Sequence, residues 1–127
     1  MYEQSLSGAR WGIQREAVWR PPTDVYETDE SAVVIVEIAG LSDGEYEVAL
    51  RGRTLVISGE RRDPAEKRGY QQMEIHYGKF HTEVHLPWAL ESAEDQSATY
   101  ENGFLKVVLR KARVRYIPVR PVDDVQS

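Results

Sequence analysis

His81-x-Glu83-x-His85 is the stretch of this sequence whose residue types come nearest to a metal or acid–base site. Alternate residues of a strand share a face, with neighbours about 7 Å apart and the outer pair about 13 Å apart. Zinc holds nitrogen ligands at about 2 Å, so the two histidines cannot share one ion. A solvated strand face accounts for the three residues better. Glu91, Glu94 and Asp95 lie in polar stretches where water keeps carboxylates ionised. His76 would need a serine and an aspartate from distant positions to make a triad, and nothing like a nucleophile elbow accompanies it. With no cysteine there is no thiolate site, cysteine nucleophile or disulfide scaffold. Neither a G-x-G-x-x-G nor a P-loop lysine is present. No catalytic residue, cofactor or metal is expected.

The elements that carry these residues read as strands. Thr23 to Glu27 follows Pro21-Pro22, and Ala32 to Ile38 is β-branched and apolar on both faces until Glu37, as in a central strand covered on both sides. Tyr46, Val48 and Leu50 alternate with Glu45, Glu47 and Ala49. Arg51-Gly52-Arg53 turns this segment into Thr54 to Gly59, giving a hairpin. Phe80, Thr82, Val84 and Leu86 alternate with His81, Glu83 and His85 until Pro87. Ala98 to Glu101, Asn102-Gly103 and Phe104 to Leu109 form a second hairpin, with Leu105, Val107 and Leu109 inward and a type I′ turn. Residues 60–68 are nearly all charged and form an exposed loop, followed by an apolar patch at Tyr70, Met73 and Ile75. The whole predicts an all-β, antiparallel β-sandwich. Only residues 1–20 carry a helical stripe, at Leu6, Ala9, Ile13 and Ala17, with Trp11 and Trp19 off the stripe and exposed on an isolated monomer.

Length and composition agree with one domain and short tails: 127 residues, 14.6 kDa, 41% hydrophobic and 29% charged. The longest apolar run, Ala32 to Val36, is far short of a membrane span. Met1-Tyr2-Glu3-Gln4 lacks the layout of a signal peptide, so a soluble, cytoplasmic protein is expected. A net charge of −5 argues against nucleic acid as a partner. Residues 23–60 hold nine acids and two bases, a local −7, whereas Arg110, Lys111, Arg113, Arg115 and Arg120 face no acid within 110–120. A tail pairing with an acidic surface of its own protein explains that contrast better than a phosphate or membrane site.

The tail is the most informative segment. Pro118 fixes its own φ and biases Ile117 toward extended backbone, so Ile117 and Val119 project to one side about 7 Å apart. Two such knobs suit a groove between strands, and a final edge strand folding onto its own domain fits the pattern equally well.

Taken in order, Asp24-Val25-Tyr26-Glu27-Thr28, Leu55-Val56-Ile57-Ser58-Gly59-Glu60-Arg61, Tyr77-Gly78-Lys79-Phe80, Leu86-Pro87 and Ala98-Thr99-Tyr100-Glu101-Asn102-Gly103-Phe104-Leu105 resemble the small heat-shock proteins, the α-crystallin-domain family, in their bacterial and plant form. Ile117-Pro118-Val119 stands beyond them as the family's I-x-I/V tail motif does. The resemblance implies an immunoglobulin-like sandwich acting as an ATP-independent holdase, not an enzyme, that prevents aggregation of unfolding client proteins. It implies a homodimer made by exchanging a strand on a long loop, here Tyr70, Met73, Glu74 and Ile75 within residues 62–77. It implies a larger homo-oligomer in which the tail enters a neighbour's groove, lined by Val48, Leu50 and Ala98, with the tail arginines near Glu45 and Glu47. Clients would meet Leu6, Trp11, Ile13, Val18 and Trp19 and pass on to ATP-dependent chaperones.

The parts are then an arm over 1–20, the α-crystallin domain over 21–111 and a C-terminal extension over 112–127. Three departures stand out: Ala39-Gly40 replaces Pro-Gly, Glu74-Ile75 replaces Glu-Arg, and Thr82 replaces an arginine. The arm is also short for the family, which favours a smaller or less uniform assembly. A sandwich-type co-chaperone or adaptor in a small fixed complex is the alternative.

Overall fold

In the computed structural model, which describes residues 17–64, 66 and 69–122, the period-two segments become antiparallel strands in two sheets. In chain order they are β1 (Thr23–Glu27), β2 (Ser31–Glu37), β3 (Tyr46–Arg51), β4 (Thr54–Arg61), β5 (Gly78–His85), β6 (Ser97–Glu101) and β7 (Phe104–Arg110). The first sheet has the order β1-β2-β7-β6 and the second β3-β4-β5. Among the described residues there is no α-helix, only a single 3-10 turn at Ala93–Asp95, and no helix long and apolar enough to cross a membrane.

The core lies between the sheets. Ala32, Val34 and Val36 of β2 sit beside Leu105, Val107 and Leu109 of β7, and they face Leu55 and Ile57 of β4 with Phe80 and Val84 of β5. Burying one such side chain stabilises the fold by about 1.5–3 kcal/mol, which is why alternation decides which face turns inward. β2 is the strand expected to be covered on both faces, and Val33, on its outer face, is indeed buried along with Ala32, Val34 and Val36. At the β6–β7 turn Asn102 and Gly103 take φ of 54° and 82°, the left-handed pair that a type I′ turn requires.

The two seams of the sandwich differ. At one, β1 lies by β5: the Thr23 and Thr82 hydroxyls are 3.0 Å apart, and Thr23 Oγ1 donates to the carbonyl of Pro21 at 2.9 Å. Thr82 is 1% exposed, so the departure noted in the sequence puts a small hydroxyl in the core. The segment before β1 also covers this seam. Trp19 bridges Phe80 in parallel register, its N–H donating to Lys79 O at 3.1 Å and its carbonyl accepting from His81 N–H at 2.9 Å.

That contact corrects two expectations. Residues 17–20 are not the end of a helix, because Trp19 spends its backbone groups on the edge of β5 and Pro21 disfavours helical backbone at Arg20. Nor is Trp19 an exposed ring; it packs against the core. Leu6, Trp11 and Ile13, together with Ala9 of the stripe, lie outside the described residues.

Candidate functional site

The second seam is open. Val48 and Leu50 on β3 and Ala98 on β6 border a groove of about 170 Å³, with Leu55, Val107 and Leu109 beneath and Ala93, Gln96 and Ser97 at one side. The opening has a simple origin. β3 and β6 are the edge strands of their sheets, and Ala98, on the same face as Tyr100, is too small to fill the gap. The three residues that the resemblance assigns to the groove are therefore brought together. Among the described residues no charged side chain lines it.

Beyond β7 residues 112–122 run without regular structure. Ile117 and Val119 are 85% and 90% exposed, so the described residues do not cover the tail motif as they would a final edge strand. The tail root pairs with its own domain. Lys111 Nζ lies 2.8 Å from Glu27 Oε2 and 4.7 Å from the centre of the Trp88 ring. Arg113 N–H donates to Glu91 Oε2 at 3.0 Å, and Arg115 Nη2 lies 3.7 Å from Glu91 Oε1. Only Glu27 of these acceptors belongs to the acidic segment 23–60. Glu47 alternates with Val48 and Leu50 along β3, and Glu45, just before the strand, accepts Ser42 N–H at 2.7 Å through its Oε1. Neither carboxylate lines the groove.

Residues 62–77 contain no strand among those described. Tyr70, Met73 and Ile75 are exposed, with Gln72 donating to Glu74 and Tyr70 Oη donating to Asp63 at 2.7 Å. The loop is fastened at its end by Arg61, whose guanidinium donates to the carbonyls of His76 and Ala39 and lies 4.7 Å from the centre of the Trp19 ring and 5.5 Å from that of Tyr77. The His76 ring stacks on Trp19, with centroids 5.1 Å apart. His81, Glu83 and His85 sit on the exposed face of β5, His85 with its Nδ1 3.0 Å from the Thr54 hydroxyl. No group of three possible metal ligands converges among the described residues.

Sequence reasoning missed Arg61, Glu91, Gln96 and Tyr100 as organising residues. Their partners lie 15 or more positions away in most cases, and no periodicity marks such contacts. For Tyr100 a signal existed: it is the large aromatic on the inward face of a short edge strand.

Residues 24–123 match the profile of the Hsp20/alpha crystallin family. A 17.9 kDa class II heat shock protein of Helianthus annuus is 40% identical over 95 residues, 71% of this chain and 58% of that protein. Heat shock protein HSP.16.4 of Streptococcus thermophilus is 33% identical over 91 residues, 70% of this chain and 64% of that protein. The matched region thus spans less than two thirds of either relative. Among solved structures, hspA from Xanthomonas axonopodis superposes with a TM-score of 0.67 at 29% identity, covering 75% of this chain and 96% of that one. A small heat-shock protein from Xylella fastidiosa shares the fold with a TM-score of 0.72 at 24% identity, covering 85% and 100%.

Proposed function

This chain belongs to the Hsp20/alpha crystallin family, a family of chaperones that are generally not enzymes, and from that premise we propose that it is an ATP-independent holdase that binds unfolding proteins and prevents their aggregation. One observation supports this reading above the others. The same chain carries an uncharged groove that its own side chains leave open and an exposed Ile117-Pro118-Val119 that its own domain leaves uncovered. A donor and an acceptor that do not satisfy each other within one chain are suited to joining copies head to tail.

In this reading the arm is 1–20, the domain 21–111 and the extension 112–127. Tyr70, Met73, Glu74 and Ile75 add as a strand to a partner's sheet, where the outer edge of β1 has no neighbour in the strand order. That makes the dimer, and tails in grooves join dimers into a larger homo-oligomer. Client capture asks for apolar surface that is covered at rest and uncovered under stress. Leu6, Trp11 and Ile13 supply it with Val18, which is 56% exposed, and with Trp19 once it leaves β5. The place of action is the cytoplasm, and ATP-dependent chaperones take over the held clients.

The test is light scattering of a heat-aggregating client, without ATP, with particle size measured in the same samples. Suppression at near-stoichiometric ratios by a particle larger than a dimer is the expected result. A well-folded monomer or dimer without suppression would replace the holdase by an adaptor in a small fixed complex.

A further inference from the structure

The root of the tail is held in place for several residues before Ile117. Glu91 N–H donates to Arg110 O at 3.0 Å and Ala112 N–H to Ala89 O at 2.8 Å, so residues 89–91 run antiparallel beside 110–112. Gln96 fastens this junction. Its Oε1 accepts Arg110 N–H at 2.6 Å, and its Nε2 donates to the carbonyls of Glu91 at 2.9 Å and Arg110 at 3.2 Å. The side chain of Glu91, 16% exposed, then reaches past the junction to Arg113 and Arg115. Among the described residues Arg115 is the last so tethered. Extended backbone advances about 3.3 Å per residue, placing Ile117 about 7 Å and Val119 about 13 Å beyond it.

The structure assigns Glu91 as a positioning residue that aims the tail, so that Ile117 and Val119 leave the domain in one direction. The occupant it serves is the groove of a second copy, and in that respect the inference rests on the tail-in-groove reading above. A tail presented in one direction loses less freedom on docking than one free to sweep, and the gain is repeated at every tail of an assembly. The contacts also rank the side chains. Glu91 accepts a backbone N–H, a charge-assisted bond, whereas its pairing with the exposed Arg115 is a surface ion pair. Arg113 offers Glu91 its backbone alone.

The experiment measures subunit exchange between differently labelled full-chain assemblies. In parallel it measures binding of a labelled synthetic peptide of residues 116–122 to full-chain protein carrying Ile117→Ala and Val119→Ala. Glu91→Ala should exchange about tenfold faster, the equivalent of one hydrogen bond to a charged group. Glu91→Gln and Arg115→Gln should show a smaller acceleration, and Arg113→Gln none. Adding Glu91→Ala to the peptide-binding protein should leave the affinity unchanged, because the groove itself is untouched.

Exchange at the native rate in Glu91→Ala would overturn the assignment. So would loss of peptide affinity in that variant, which would mean that Glu91 only maintains the groove. A peptide that fails to bind even with Glu91 in place would instead sink the tail-in-groove reading.

Discussion

The Tyr100 hydroxyl donates to the carbonyl of Ile38 at 2.8 Å, tying edge strand β6 to the chain as it leaves β2 for the other sheet. The same oxygen accepts Leu41 N–H at 3.2 Å, so one side chain satisfies one carbonyl and one N–H of the crossover. Its ring lies 5.4 Å from that of Tyr46 at the start of β3. Tyr100→Phe keeps the ring and removes both bonds. It should destabilise the fold by about 1–3 kcal/mol, because two partly buried backbone groups lose their partner. Urea denaturation of an assembly-deficient background measures this, and an unchanged midpoint would show that water replaces the hydroxyl without loss.

Gly59 is required by a close approach. A Cβ built there would lie 2.1 Å from the carbonyl oxygen of Glu45 and 2.6 Å from the ring of Phe80. Glu45 O is held by Glu60 N–H at 3.0 Å, so neither neighbour can withdraw cheaply. Gly59→Ala should cost about 1–3 kcal/mol or more and loosen Phe80, visible as reduced near-ultraviolet dichroism and a lower unfolding midpoint.

The hydroxyl pair at the closed seam has a direction. Thr23 has one proton and gives it to Pro21 O, so Thr82 must donate to Thr23. Thr82→Val removes one donor and leaves Thr23 bonded, a loss of about 1 kcal/mol; Thr23→Val orphans the buried Thr82 and should cost about 1–3 kcal/mol. Equal losses in denaturant titrations of the two variants would contradict this proton order.

Ile117→Ala with Val119→Ala should reduce the assembly to dimers and leave thermal unfolding of the domain unchanged, since both side chains are exposed on their own chain. The lost anchors amount to about 3–6 kcal/mol per docked tail. Size by light scattering and calorimetry on the same sample check both halves. Because no charged side chain among the described residues lines the groove, peptide binding should change by less than about twofold between low and high salt. Strong salt dependence would mean that charges outside the groove carry the docking.

The resemblance and the strand pattern together placed Val48, Leu50 and Ala98, and the structure gathers them at one groove. The charges were harder to place. Within one chain Arg113 and Arg115 meet Glu91, a contact no spacing signalled, whereas tail arginines near Glu45 and Glu47 were expected of a tail docked on a neighbouring copy. A surface charge has several acceptors within reach of its flexible stem, and sequence does not rank them. Residues 17–20 depart from the helical expectation for a related reason: at Trp19 the open edge of β5 takes up the backbone groups.

By itself the sequence determined the strands, the Asn102-Gly103 turn, the inward faces and a tail motif whose proline holds it extended. Each follows from neighbours a few positions apart, where side-chain period and allowed backbone angles act directly. Tertiary structure alone decided that one seam is closed by Thr23, Thr82 and Trp19 while the other stays open. It likewise decided that Arg61 grips His76 and Ala39, and that Glu91 meets the tail. Those contacts join residues brought close only when strands pair and the two sheets stack, and no local rule of spacing encodes that distance.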